Sequence, residues 1–100
     1  MVNPQNTMIM YELAWPTAML GNMGYARELI GRSMTLDPSN PYVHYYDALL
    51  SLREGRPDAA VDALRETIEL GYPTALLAAE PYLIDLRQNA NFADLVSEQQ

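Results

Sequence analysis

The sequence predicts an all-α protein built as a stack of helical hairpins. The first observation is an internal repeat that appears when the 100-residue chain is shifted against itself by 34 residues. The shift aligns small residues at three pairs of positions, namely Ala14 with Ala48, Gly21 with Gly55, and Ala26 with Ala60. A period of this length is typical of stacked helical hairpins. The second observation is that apolar residues recur at spacings of three and four between helix start and stop signals.

The first helix is expected to begin at Asn3-Pro4, with asparagine as the N-cap and proline at the first helical position. It should run to about Leu20. Pro16 lies inside it, has no N–H to donate, and its ring clashes with the carbonyl one turn earlier. The sequence therefore predicts a kink near Trp15. An alternative is that the ordered helix begins near Pro16 and the upstream part frays.

Three further helices complete the two copies, over about 23–35, 41–54 and 57–70. Gly21 and Gly55 lie at the hairpin turns, where a left-handed backbone conformation is needed and glycine adopts it without steric cost. The alanines of the repeat allow the paired helices to approach closely, since larger side chains there would cost about 1–3 kcal/mol through overpacking. Four larger residues are expected to fill the wedge between the hairpins: Ile30, Leu36, Leu64 and Leu70.

The remaining residues, about 75–100, do not continue the repeat and are expected to form a cap. We predict a short helix over 75–79, a second short segment over 82–87, and a last helix capped by Asn89 or Asn91. A stack of two hairpins leaves an apolar flank on its last helix, and a terminal segment must cover that flank. The residues predicted to cover it are Leu76, Leu77, Leu83, Leu86 and Phe92.

The repeated pattern resembles the tetratricopeptide repeat (TPR) family. The residues that carry the resemblance are Ala14, Gly21, Ala26 and Leu36-Asp37-Pro38 in the first copy, and Ala48, Gly55 and Ala60 in the second. The resemblance covers about two-thirds of the chain and implies a right-handed α–α superhelix in a single domain, 1–100. Repeat 1 would then span about 7–40 and repeat 2 about 41–74. The tail resembles the segment after the last repeat of many bacterial TPR proteins, through Leu86-Arg87, Phe92 and Leu95.

Two departures from the family pattern stand in the first helix of each repeat. Met10 and His44 occupy the position of the usual tryptophan, and Thr17 and Ser51 that of the usual tyrosine.

Composition excludes several classes of function. The net charge is −7 and there is no lysine, which disfavours nucleic acid and anionic membrane surfaces as partners. There is no cysteine, so neither a disulfide nor a thiolate metal site is expected. No apolar run is long enough to cross a bilayer. Without a signal peptide, the sequence as written favours the cytoplasm, and the periplasm remains open if the chain is a fragment.

The sequence offers no enzyme signature. His44 is the only histidine, so there is no partner for a metal pair, and an inter-repeat or surface role is expected for it. No serine lies in a nucleophile-elbow context, and Gly21-Asn22-Met23-Gly24 is not followed by the lysine of a phosphate loop. We therefore predict no catalytic residues, no metal and no cofactor.

The informative surface is the inner face of the first helix in each hairpin. Helical spacing places eight candidate partner-binding residues on it: Met8, Tyr11, Trp15, Met19, Tyr42, Tyr45, Leu49 and Arg53. Aromatic residues and methionine are favoured at interfaces, and Trp15 and Tyr45 are the strongest candidates. The alternative is that some of these residues belong to the core or are covered by the tail.

The predicted function is a non-catalytic protein–protein interaction module of a kind that a larger regulator can contain. Some TPR domains hold a partner's terminal carboxylate with lysines and asparagines, a mode that the lack of lysine disfavours here. A protein or peptide with an apolar or aromatic, helical segment fits the groove better. The alternative function is homo-oligomerisation, in which the same face pairs two copies as a homodimer.

Overall fold

The computed structural model describes residues 4–97, with side chains from residue 7 onward, and every regular element in that range is helical. The α-helices are α1 (Pro4–Met19), α2 (Met23–Leu36), α3 (Pro41–Arg53), α4 (Pro57–Glu69), α5 (Thr74–Ala79) and α6 (Ala90–Ser97). A 3₁₀ helix, Pro81–Leu86, lies between α5 and α6. Helices α1 and α2 pack as one hairpin and α3 and α4 as a second. The predicted all-α stack of helical hairpins is confirmed.

Helix α1 is continuous through Pro16 and is already helical at Pro4. The frayed alternative, in which order begins near Pro16, is therefore wrong. Asn3, the predicted cap, lies outside the described residues. Helices α2, α3 and α4 each begin close to the predicted start. At the starts of α2 and α3, the side chains of Asn22 and Asn40 accept hydrogen bonds from backbone N–H groups of the first turn. Such caps satisfy donors that have no partner inside the helix.

Glycines close the first helix of each hairpin as predicted. Gly21 has φ +94° and Gly55 has φ +78°, both in the left-handed region. After α1, the Asn22 N–H donates to the Thr17 carbonyl at 3.1 Å, which is the long bond of a Schellman turn. Gly71, with φ +106°, ends α4 in the same way. This motif explains why each helix stops one or two residues before its glycine.

The four alanines of the repeat lie inside the hairpins. Each is fully buried: Ala14, Ala26, Ala48 and Ala60 have 0% exposure. The first two belong to the apolar cluster between α1 and α2, and the other two to the cluster that α3, α4 and the tail share. A methyl group at these positions lets the two backbones approach closely, so their predicted packing role is confirmed.

One face of α3 docks the second hairpin onto the first. Val43 and Leu50 are fully buried in the same cluster as Ile30. Beside this apolar contact, the guanidinium of Arg27 on α2 forms ion pairs with Asp47 of α3 and with Glu54, which directly follows α3. The interface between the hairpins is therefore half apolar and half ionic.

The tail covers the far side of the second hairpin. Five of its residues are buried at 3% exposure or less in one cluster with α3 and α4: Leu77, Leu83, Leu86, Phe92 and Leu95. Of the two asparagines proposed as a cap for α6, Asn89 performs the role, because its side chain accepts from the N–H groups of Asn91 and Phe92 at 2.9 and 3.2 Å. The predicted covering role is confirmed for Leu77, Leu83, Leu86 and Phe92, and Leu95 joins them.

Two leucines do not lie where the sequence predicted. Leu76 was expected in the cap but is 55% exposed, because α5 turns its neighbour Leu77 toward the core instead. Leu36 was expected in the wedge between the hairpins but is 43% exposed at the end of α2. It borders an outer groove with Met10 of α1. Ile30 and Leu64 are buried as expected.

Candidate functional site

Five tyrosine side chains form a closed ring of contacts between α1, α3 and the loop after α4. Neighbouring ring centroids are 5.4–6.1 Å apart in the order Tyr11, Tyr42, Tyr72, Tyr45, Tyr46 and back to Tyr11. Three of these contacts are stacked and two are edge-on. Aromatic pairs in such geometries stabilise by about 0.5–1.5 kcal/mol beyond their buried area. The ring therefore joins α1, α3 and the loop after α4 in one continuous aromatic contact.

Four of the five phenols in this ring have a pKa raised above the ordinary tyrosine value. Burial, reinforced by the nearby Glu80 carboxylate, raises the pKa of Tyr45 far above its ordinary value. Burial is also the largest cause of the raised pKa values of Tyr11, Tyr46 and Tyr72. A raised pKa disfavours the phenolate, so these side chains contribute packing and hydrogen bonding and no charge.

Next to the ring, Trp15 lies beneath a residue of the tail. Its ring centroid is 5.3 Å from that of Tyr82, in an edge-on contact. The indole N–H is shielded from solvent and has no hydrogen-bond acceptor among the described residues. The Trp15 side chain also lines a cleft of about 130 Å³, together with Leu49, Leu52, Arg53, Tyr82 and Asp85. We call this space the Trp15 cleft.

The structure divides the eight candidate partner-binding residues into two groups. Tyr11, Tyr45 and Leu49 are buried, with 7%, 7% and 2% exposure. The prediction that they line an open groove is wrong, because neighbouring tyrosines and the tail cover them, as the alternative interpretation held. The remaining five are accessible, with Trp15 partly buried: Met8, Trp15, Met19, Tyr42 and Arg53. We call these five residues, together with Tyr82 above Trp15, the aromatic face.

Sequence reasoning missed the residues that the segment after α4 adds to this site. Tyr72 stacks on Tyr45, Tyr82 packs on Trp15, and Glu80 lies near the buried phenol of Tyr45. Each tyrosine adjoins a proline, Pro73 or Pro81, and this pairing marks irregular backbone. No helical period runs through the segment, so nothing local indicated that it crosses to α1.

Metal-ligating side chains do not cluster among the described residues. Those residues contain no group of three histidine, cysteine, aspartate or glutamate side chains that could hold a metal ion. The His44 ring contacts the Pro38 carbonyl at 2.7 Å, a contact at the junction of the two hairpins. Within residues 4–97, no helix has the length and apolar character that a bilayer crossing requires.

The chain has no match among family models, curated proteins or solved structures. Its function is therefore inferred from its own residues and geometry.

Proposed function

We propose that this protein is a non-catalytic TPR-like module that binds a segment of a partner polypeptide on its aromatic face. The observation that carries the proposal is the Trp15 indole N–H, which is shielded from water and unpaired beside a cleft. Buried polar groups are nearly always hydrogen-bonded, and leaving one unpaired costs about 1–3 kcal/mol. An acceptor supplied by a partner in the Trp15 cleft removes that cost on binding.

The chemistry of the cleft specifies the kind of acceptor. Arg53 and Asp85 both line it, so it has no net charge that selects a charged group. A neutral acceptor, such as a peptide carbonyl or a side-chain amide, fits this environment best. Tyr82 is 52% exposed above the indole, and a surface side chain of this kind can change rotamer to admit the partner.

The surroundings of the cleft favour an apolar segment. Met8, Met19 and Tyr42 have 40%, 52% and 49% exposure. Methionine adapts its shape to different partners, whereas tyrosine provides a rigid contact at low entropic cost. An amphipathic segment that places an apolar side chain on Met19 and a carbonyl at Trp15 would use both features.

The proposal is tested with peptides selected from a phage-displayed library against the intact protein. Affinity for each selected peptide is measured by calorimetry for the wild type and for Trp15→Phe, which keeps an aromatic ring but lacks the N–H. We expect binding to the variant to be weaker by about 3- to 10-fold, as the loss of one hydrogen bond predicts. Tyr25→Phe is the matched control, because Tyr25 is 44% exposed on α2 and takes no part in the aromatic face.

Two results contradict the proposal. One is a set of selected peptides whose affinities are the same for the wild type, Trp15→Phe and Met19→Ala. The other is a selection that yields no peptide binding more tightly than about 1 mM, the weak end of recognisable affinity.

A further inference from the structure

Helix α1 carries a second apolar stripe, on the side away from the core. Ile9, Leu13 and Leu20 are 58%, 45% and 88% exposed along it. Next to the stripe, a groove of about 470 Å³ runs between α1 and α2, lined by Met10, Glu28, Gly31, Arg32, Thr35 and Leu36. We call the stripe and this groove together the open flank.

The internal repeat shows what the open flank is for. A shift of 34 residues carries the stripe onto the face of α3 that docks on the first hairpin, pairing Ile9 with Val43, Leu13 with Asp47, Pro16 with Leu50 and Leu20 with Glu54. On α3 these positions are buried or ion-paired against the first hairpin: Val43 and Leu50 have 0% exposure, and the two acids pair with Arg27. The same positions on α1 therefore form a docking surface whose counterpart lies outside the described chain.

The covered end of the stack excludes a head-to-tail stack of copies. In such a stack the flank would meet α4 of the next copy, and the tail covers α4. Asp47 and Glu54 receive the Arg27 guanidinium in the second repeat, whereas the uncharged Leu13 and Leu20 stand at those positions in the first. An apolar counterpart therefore suits the flank.

We propose that the open flank pairs with the open flank of a second copy, giving a closed, two-fold symmetric dimer. The stripe is apolar and uncharged, so two copies present like surfaces that suit each other in an isologous contact. In the adjoining groove, Arg32 pairs with Glu28 at 2.8 Å, so the chain's net charge of −7 is not concentrated on this surface. An isologous contact uses the same surface of both copies, so the assembly stops at two.

The dimensions of the flank predict a weak dimer. Helix α1 has 16 residues, which corresponds to about 24 Å at 1.5 Å per residue. With a second helix axis about 9 Å away, the contact covers roughly 400–500 Å² per copy, at the low end of specific interfaces. Dissociation on dilution in the micromolar range follows.

The test is sedimentation equilibrium of the full chain between about 5 and 500 μM, the range expected for an interface of this size. We expect the wild-type mass to approach twice that of the monomer at the upper end. Leu13→Asp/Leu20→Glu, which introduces the residues that the second repeat carries at these positions, should remain monomeric throughout. Leu76→Asp is the matched control, since Leu76 is 55% exposed on α5, and it should dimerise like the wild type.

Three outcomes overturn the proposal. The first is a wild type that stays monomeric at every concentration. The second is a Leu13→Asp/Leu20→Glu variant with unchanged far-UV circular dichroism that still dimerises. The third is a dimer lost in Met19→Asp and kept in the double variant, which would locate the contact on the aromatic face. Peptide binding by the double variant distinguishes the two proposals, since it should be unchanged if the aromatic face works alone.

Discussion

Arg27 is the most informative single position for the stacking of the two hairpins. From α2 its guanidinium forms ion pairs with Asp47 of α3 and with Glu54, which directly follows α3. It also donates to the Ser51 hydroxyl of α3 at 2.8 Å. The side chains of the arginine and its two acids are only about a quarter exposed, at 27%, 24% and 23%. Arg27→Ala would leave both carboxylates partly buried and without their partner.

The expected cost lies between two limits. Exposed ion pairs contribute about 0.2–1 kcal/mol, whereas removing one partner of a buried pair costs about 3–5 kcal/mol. At a quarter exposure, with three acceptors served by one guanidinium, we expect Arg27→Ala to lower the free energy of unfolding by about 2 kcal/mol. For a domain of this size that corresponds to a Tm lower by about 8–16 °C.

The assay is urea unfolding followed by circular dichroism, with the midpoint expected to fall and the m-value to stay constant. Arg32→Ala is the matched control, because Arg32 pairs with Glu28 within α2 and the two side chains are 61% and 51% exposed. Its cost should be below about 0.5 kcal/mol. If Arg27→Ala costs no more than Arg32→Ala, the ionic half of the interface does not hold the hairpins together and our reasoning is wrong.

Three further predictions concern a turn and two titrating groups. Gly21→Ala should destabilise the protein by about 1–2 kcal/mol, because φ is +94° there and a side chain strains that conformation. Gly31→Ala lies within α2, where the added Cβ has no heavy atom within 4 Å, and it should stabilise the protein by about 0.5–1 kcal/mol. Thermal melts of both variants check this pair. The hydrogen bond from Arg27 lowers the pKa of Glu54. The stabilisation that this pair contributes is therefore complete above the ordinary glutamate pKa and is lost as the pH falls through the lowered value. The difference in urea midpoint between the wild type and Arg27→Ala should shrink below about pH 4 and persist at neutral pH. Burial raises the pKa of Tyr45, so the stabilisation that the neutral phenol contributes is present below about pH 10 and is lost above it. Between about pH 8 and pH 11, Tyr45→Phe should therefore lose less stability than the wild type. An equal loss in both proteins would contradict the raised pKa of Tyr45.

The helices and turns of this protein could be predicted because their signals are local. Gly21 and Gly55 mark left-handed turns, Asn40 marks a helix start, and buried alanines such as Ala14 mark close helix crossings. Each signal depends on a few neighbouring residues and on a helical period that two copies share. Together they gave the helix order and boundaries within one or two residues.

The path of the tail could not be predicted because no period runs through it. Leu76 and Leu77 are chemically equivalent in the sequence, yet only Leu77 is buried. The tyrosines Tyr72 and Tyr82 gave no indication that they contact rings of α3 and α1. Such contacts join residues distant in sequence, and they are set by how an irregular segment folds over an existing surface.

The candidate site was predicted in part for the same reason. Helical spacing correctly placed Met8, Met19 and Tyr42 at the surface, since that placement depends only on the direction of each side chain from its helix. Whether Tyr45 and Leu49 remain accessible depends on what lies above them, which the helix pattern does not contain. The direction of each side chain from its helix was therefore predictable, and its coverage by other segments was not.

The most direct test of the proposed binding site uses the indole N–H of the only tryptophan, which gives a single indole cross-peak in a ¹⁵N–¹H NMR spectrum. When a selected peptide is added, we predict that the Trp15 proton moves downfield as it gains a hydrogen-bond acceptor, with the same apparent affinity as calorimetry reports. A peptide that binds and leaves this resonance in place would contradict our account, because it would show that the partner does not enter the Trp15 cleft.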